Sequence, residues 1–206
     1  MHMESSNTAK KILEAAEEEF LMRGYAGART TSIAQTAGVT HAMLHYYFRT
    51  KKNLFEQVIA DPFEMLGQIM GAGISNPEVP LMEKIPLVIE QHLDFIAAHP
   101  TLPRFMTNEV FTQPEYTDFV IKKIESIAGP ALEKLQLELD ECAARGECRK
   151  VDASMLLLDI VSLNIFSFIA QPVMNAILGD RSKDMDSFLA ARKKENVDTI
   201  LRKLKV

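Results

Sequence analysis

An all-α fold is what this sequence predicts, and three observations predict it. Apolar residues recur every three or four positions through most of the 206 residues, the spacing of a single buried helical face. No stretch alternates apolar and polar residues as a half-buried strand would. Stretches containing Gly, Pro and Asn interrupt the pattern at lengths suited to helices. The expected architecture is about nine helices, with a small N-terminal group joined to a larger helical C-terminal region. At 47% hydrophobic and 25% charged, the chain can bury a substantial core.

Taken in order, the N-terminus reads as a short disordered lead with no secretory signal. The first helix is expected from Thr8 to about Met22. Ile12, Ala16 and Phe20 fall four apart and mark its inner face, and Lys10 and Lys11 oppose the dipole of its first turn. Gly24 ends it. A short second helix, Thr30 to Ala37, turns Ile33 and Ala34 inward. Gly38 can supply a positive φ, Val39 fills the corner, and Thr40 caps a third helix, His41 to Phe48. Helix, tight glycine turn, helix is the helix-turn-helix arrangement. A fourth helix, Asn53 to Gly71, is expected to bend at Pro62. Further helices are expected near 81–98, 101–111, 115–145, 152–178 and 184–204. Breaks are expected at 99–100, 113–115, 145–150 and 178–183, and Gly129-Pro130 should kink or split the helix 115–145.

Charge is distributed unevenly. The net charge is −5, yet no Asp or Glu occurs between Phe20 and Phe55, where Arg23, Arg29, Arg49, Lys51 and Lys52 lie. Residues 61–206 carry 16 basic and 22 acidic side chains. A small cationic edge on an acidic body can dock on a polyanion while the body stays soluble. On the third helix, Leu44 and Phe48 lie on one face and bury. The opposite face carries Ala42, Met43 and Tyr46, with His45 and Tyr47 flanking it and His41 at its start. The major groove of DNA admits one such helix. Small or apolar residues can approach a thymine methyl, and His and Tyr can reach base edges or phosphates. Thr40 at the helix N-terminus suits a phosphate, and Lys51 is a sequence-blind phosphate anchor. Thr30 and Thr31 stand at the exposed start of the second helix, which should cross the backbone.

The stretch ILEAAEEEFLMRGYAGARTTSIAQTAGVTHAMLHYYFRTKKNLF resembles the N-terminal domain of the TetR-type transcriptional regulators. The resemblance is carried by Ile12-Leu13-x-Ala15-Ala16, Phe20, Gly24-Tyr25, Ile33-Ala34, Ala37-Gly38-Val39, Leu44, Phe48, Lys51 and Leu54. It implies that His41, Ala42 and Met43 face bases, that Tyr46 and Tyr47 lie near DNA, and that Lys51 holds a phosphate. Thr30 and Thr31 match second-helix positions that meet DNA. His45 stands where the family has a phosphate-contacting tyrosine; a histidine can donate the same bond and can also become charged. At Ala28-Arg29 the usual Thr or Ser cap of the second helix is missing, and Thr30 is expected to take over. The domains implied are a helix-turn-helix domain over 1–52 and a helical ligand-binding and dimerisation domain over 53–206.

Residues 152–178 are apolar on nearly all sides, but Asp159, Asn164, Gln171, Pro172 and Asn175 argue against a membrane span. A helix buried all round, with one face on the core and the other on a partner, is the better reading. The helix 184–204 repeats apolar residues at Met185, Leu189, Val197, Leu201 and Leu204. In the resembled family the last two helices pair with their copies, which implies a homodimer through 152–178 and 184–204 that reads a palindromic operator. Met65, Ile69, Phe95, Phe105, Met106, Phe119 and Phe166 are expected to line a pliable apolar pocket for a small-molecule effector. His92, Asn108, Glu109 and Asn164 are its candidate polar groups. A Met or Phe stripe at helical spacing also reads as plain core.

No nucleophile motif, metal-spaced His pair or phosphate loop is found, so no catalysis, metal or cofactor is expected. Cys142 and Cys148 are spaced for neither a zinc nor a redox pair and read as reduced thiols in a cytoplasmic protein. The reading is a ligand-responsive DNA-binding regulator, a repressor released by a small apolar or amphipathic molecule. The alternative is a helical ligand-binding or protein-interaction module that keeps the fold without operator binding.

Overall fold

A computed structural model of the chain describes residues 2–76, 78–179 and 184–206. Among these residues there are ten α-helices, one π-helical turn and no strand. The helices are α1 (His2–Gly27), α2 (Thr30–Thr36), α3 (His41–Phe48), α4 (Lys51–Ser75) and α5 (Leu81–Ala98). Then come α6 (Leu102–Phe105), which runs into the π turn Met106–Val110, α7 (Pro114–Ala144), α8 (Ala153–Ile169), α9 (Gln171–Leu178) and α10 (Met185–Leu204). None of the described helices is long and apolar enough to cross a membrane.

Several boundaries differ from expectation, each for a local reason. The lead expected to be disordered is helical from His2. Thr8 is therefore internal rather than a cap, and Lys10 and Lys11 lie beyond the first turn, where the dipole has little effect. Lys10 Nζ instead sits 3.8 Å from Glu14 one turn on. Gly129-Pro130 does not split α7, since one missing N–H removes a single rung while its neighbours continue the ladder. The stretch 152–178 is two helices. α8 ends at Ala170 (φ −92°, ψ 16°), and Pro172 sits in the first turn of α9, where its missing N–H is harmless. The break expected at 178–183 falls largely outside the described residues.

The chain forms two compact units, residues 1–64 with 105–123, and residues 65–104 with 124–206. In the first, α1 packs on α2 and α2 on α3. Ile12, Ala16, Phe20, Ile33, Leu44, Leu54, Phe55 and Ile59 are buried there. Phe55 is its aromatic hub, meeting Phe20 (4.8 Å between ring centroids), Tyr25 (4.7 Å), Tyr116 (4.7 Å) and Phe105 (5.8 Å). The Glu109 carboxylate from the π turn accepts the Tyr25 N–H at 3.0 Å. Gly24 lies under it at φ 65°, and a Cβ there would stand 2.6 Å from Glu109 Oε2. Both the backbone angle and the close approach require glycine.

In the second unit α5, α8 and α10 pack on one another. Leu81, Ile85, Ile89, Leu139, Leu156, Ile160, Ile200 and Leu204 form its main core. A smaller cluster holds Leu93, Phe95, Ile96 and Phe168. Two buried polar groups of residues punctuate this unit. Lys84 is paired with Glu138 at 2.7 and 2.8 Å. The Asn164 amide, wholly buried, donates to the Ile89 carbonyl and to His92 Nδ1, both at 3.0 Å, and accepts from Asn196 Nδ2 at 2.7 Å. Desolvation lowers the His92 pKa to about 4, so the ring is neutral at pH 7 and can accept that bond.

Candidate nucleic-acid interface

The third helix is set in place by its inner side. Leu44 is fully buried and Phe48 half-buried, which turns the rest of this two-turn helix outward. Thr40 Oγ1 accepts the Met43 N–H at 3.1 Å and fixes where the helix starts. His41, Ala42, Met43 and His45 are exposed, Tyr46 is 74% exposed, and Tyr47 is half-buried. The Tyr46 and Tyr47 rings meet edge to face at 5.4 Å, and those of His41 and His45 at 4.5 Å. One outward surface thus carries two imidazoles, two phenols, a methionine and an alanine, with no acidic residue on the helix itself.

The supports of this surface are partly unexpected. Thr30 does not cap α2; its hydroxyl pairs with His41 Nε2 at 3.0 Å. The N-cap position is Arg29, and its N–H is taken at 3.1 Å by the buried carboxylate of Glu19. Glu19 also lies 3.4 Å from Arg23 Nε. Sequence reasoning passed over Glu19; its place immediately before the acid-free window was the available signal. Thr31 is exposed. Lys51 Nζ stands 4.8 Å over the Tyr25 ring and donates to the Ala26 carbonyl at 3.5 Å, so this cation is held at the end of α1. Lys52 pairs with Glu115, whose carboxylate raises its pKa.

Arg49 closes α3 at φ 60°, ψ −54°, the only non-glycine residue of positive φ among the described residues. The Thr50 N–H bonds back to the Phe48 carbonyl, which makes Arg49 the centre of a γ-turn, a strained conformation for a residue with a Cβ. Arg49→Gly should therefore raise the thermal midpoint, with a gain of about 1 kcal/mol. A lower midpoint in a melting experiment would contradict the strain.

Two family descriptions match the chain. Residues 12–58 match bacterial regulatory proteins of the tetR family, and residues 82–200 match the tetracyclin repressor-like C-terminal domain. The chain belongs to the TetR family. The HTH-type transcriptional repressor SCO4008 of Streptomyces coelicolor is 34% identical over 99 residues, 48% of this chain and 47% of that one. The chain spans about half the length of the curated relatives it matches first. Among solved structures, the transcriptional regulator FadR of Bacillus subtilis in complex with stearoyl-CoA shares the fold. Its TM-score is 0.68 at 22% identity, covering 94% of this chain and 98% of that one. The fatty acid degradation regulator FadR of Bacillus halodurans does so at a TM-score of 0.65 and 20% identity, covering 93% and 97%.

The residues expected to line an effector pocket in this TetR-family chain are divided between the two units. Phe105, Met106, Asn108, Glu109 and Phe119 belong to the first unit. There Phe105 and Met106 are buried, Asn108 is exposed, and the Glu109 carboxylate accepts the Tyr25 N–H. In the second unit His92 and Asn164 are bonded to each other, Phe95 and Ile69 pack in the smaller core cluster, Met65 is 49% exposed and Phe166 is 62% exposed. Within the single chain α8 has an inner and an outer face. Leu156, Ile160, Asn164 and Phe168 face in, and Met155, Leu158 and Phe166 face out. The second unit also has a cavity of about 10 Å³ among Ser167, Phe168, Gln171, Met174, Asn175, Met185 and Phe188, which holds no more than a water.

Proposed function

We propose that this TetR-family chain is a sequence-specific DNA-binding transcriptional regulator, a repressor released from its operator by a small apolar or amphipathic ligand. The observation that carries the reading is the outward face of α3: aromatic, hydrogen-bonding and free of carboxylates, anchored behind by Leu44. His41, Ala42, Met43, Tyr46 and Tyr47 would meet the major groove, with Thr30, Thr31, Thr40, His45 and Lys51 on the phosphates. Residues 1–52 serve DNA binding and residues 53–206 serve ligand binding and dimerisation.

The homodimer is supported by the apolar residues that α8 and α9 expose, Met155, Leu158, Phe166, Ile169, Val173 and Ile177. Faces of this kind on soluble proteins are partner surfaces. Two copies would place two α3 helices on the halves of a palindrome. The stearoyl-CoA complex of the Bacillus subtilis relative supports an effector with an apolar chain. A coupling of about 1–3 kcal/mol between effector and operator changes occupancy 5- to 150-fold. The protein acts in the cytoplasm and performs no catalysis of its own.

Replacing Tyr46 and Tyr47 together by Ala should weaken operator binding about 100-fold or more and leave the dimer intact. Both are read by mobility shift and by sedimentation on the same preparation. Wild-type affinity in the double variant would remove α3 from the interface.

A further inference from the structure

His45 Nδ1 lies 2.8 Å from the carbonyl oxygen of Arg49, one helical turn on. A carbonyl only accepts, so Nδ1 carries the hydrogen of that bond. A neutral imidazole has one N–H, and Nε2 is then left with a bare lone pair. Such a nitrogen repels a phosphate oxygen. Protonation turns Nε2 into a second donor and sets a positive charge against the phosphate, the stronger kind of hydrogen bond. A tyrosine at this position would donate at any pH below its own ionisation.

We infer that docking of α3 on a DNA backbone takes up a proton at His45, so that the protein grips its operator more tightly at pH 6 than at pH 8. The inference rests on the DNA-binding reading above. The His45 ring meets the His41 ring, 4.5 Å away and nearly perpendicular, and the carbonyl of Arg49 at the C-cap. On α2, the Thr30 hydroxyl holds His41 Nε2, and Arg29 stands at the N-cap. The charged residues that cap α2 and α3, Arg29 and Arg49, are both cationic, and no carboxylate lies in sequence between Phe20 and Phe55. The stabilising anion must then come from outside, and a backbone phosphate is the anion that this surface is shaped to meet.

The test begins by selecting duplexes from a random-sequence library with the wild-type protein at about pH 6. Affinity for the enriched duplex is then followed to about pH 8 at fixed ionic strength. One proton per head predicts weakening that approaches about tenfold per pH unit per head at the alkaline end. His45→Tyr and His45→Gln both keep a donor without titrating. Each should bind with a flat pH profile and, at about pH 8, more tightly than wild type. Calorimetry in buffers of different ionisation enthalpy should find about one proton taken up per head near pH 7.5. Equal affinity at both ends of the range, or an unchanged slope in both variants, overturns the inference. So does tighter binding at the alkaline end, which would mean that Nε2 accepts from a base amino group. If no duplex is enriched at all, the DNA-binding reading falls and this inference falls with it.

Discussion

Acidification from pH 7.5 to pH 5 should remove about 2 kcal/mol of folding stability through His92 alone, and about 3 kcal/mol by pH 4. The ring is 2% exposed and its Nδ1 accepts the Asn164 amide hydrogen, a bond that a protonated Nδ1 cannot accept. Desolvation lowers its pKa to about 4, whereas an unfolded histidine titrates near about 6.5. Between those two values the unfolded chain binds more protons than the folded one, so stability rises with pH. The contribution is complete above about 6.5, is lost as the pH falls through about 4, and levels off only below that. Urea titrations at pH 7.5 and 5 measure the difference. His92→Gln should be less stable at neutral pH, since the Asn164 and Asn196 network is disturbed, but its stability should change less over this interval. If wild type and variant lose the same amount, the buried ring is not the cause.

The third helix was legible in the sequence because everything that defines it is local. Gly38 turns the chain, Thr40 caps, and Leu44 with Phe48 shows which side is inward. The acid-free window was equally plain from composition. What escaped notice depends on partners far along the chain. Glu109 closes on Gly24 and Tyr25 across 84 positions, and no periodicity within residues 101–111 distinguishes that carboxylate from a pocket-lining one. The acceptor for the N–H of Arg29, the N-cap of α2, comes from Glu19 on another helix, a contact that turn chemistry alone does not reveal. The tautomer of His45 needed the position of the Arg49 carbonyl. The division of 152–178 into two helices could have been read, because Pro172 is tolerated in a first turn and disfavoured in the interior. Which residues of α8 lie on the outward side could not, because an all-apolar helix carries no mark that tells its two faces apart.

Phe55→Ala should cost about 3–5 kcal/mol and should unfold the first unit ahead of the second. The ring is fully buried and touches four other aromatic rings, drawn from α1, the residue that opens the π turn, and the start of α7. Each edge or tilted contact adds about 0.5–1.5 kcal/mol beyond burial, and a residual cavity adds its own penalty. A helix-turn-helix reading of residues 1–52 ends before this ring, yet the ring joins α1 to residues 105–123 within one unit. The chain supplies a selective probe. It has no tryptophan, and its four tyrosines, Tyr25, Tyr46, Tyr47 and Tyr116, all belong to the first unit. Near-ultraviolet dichroism of tyrosine should therefore collapse at lower denaturant in Phe55→Ala, while helical dichroism retains the share contributed by the second unit. Phe55→Leu keeps most of the volume and should lose less than half as much. Coincident transitions by both probes, at the wild-type midpoint, would show that the aromatic hub does not hold α1 to α3 together, and that residues 105–123 contribute nothing to their stability.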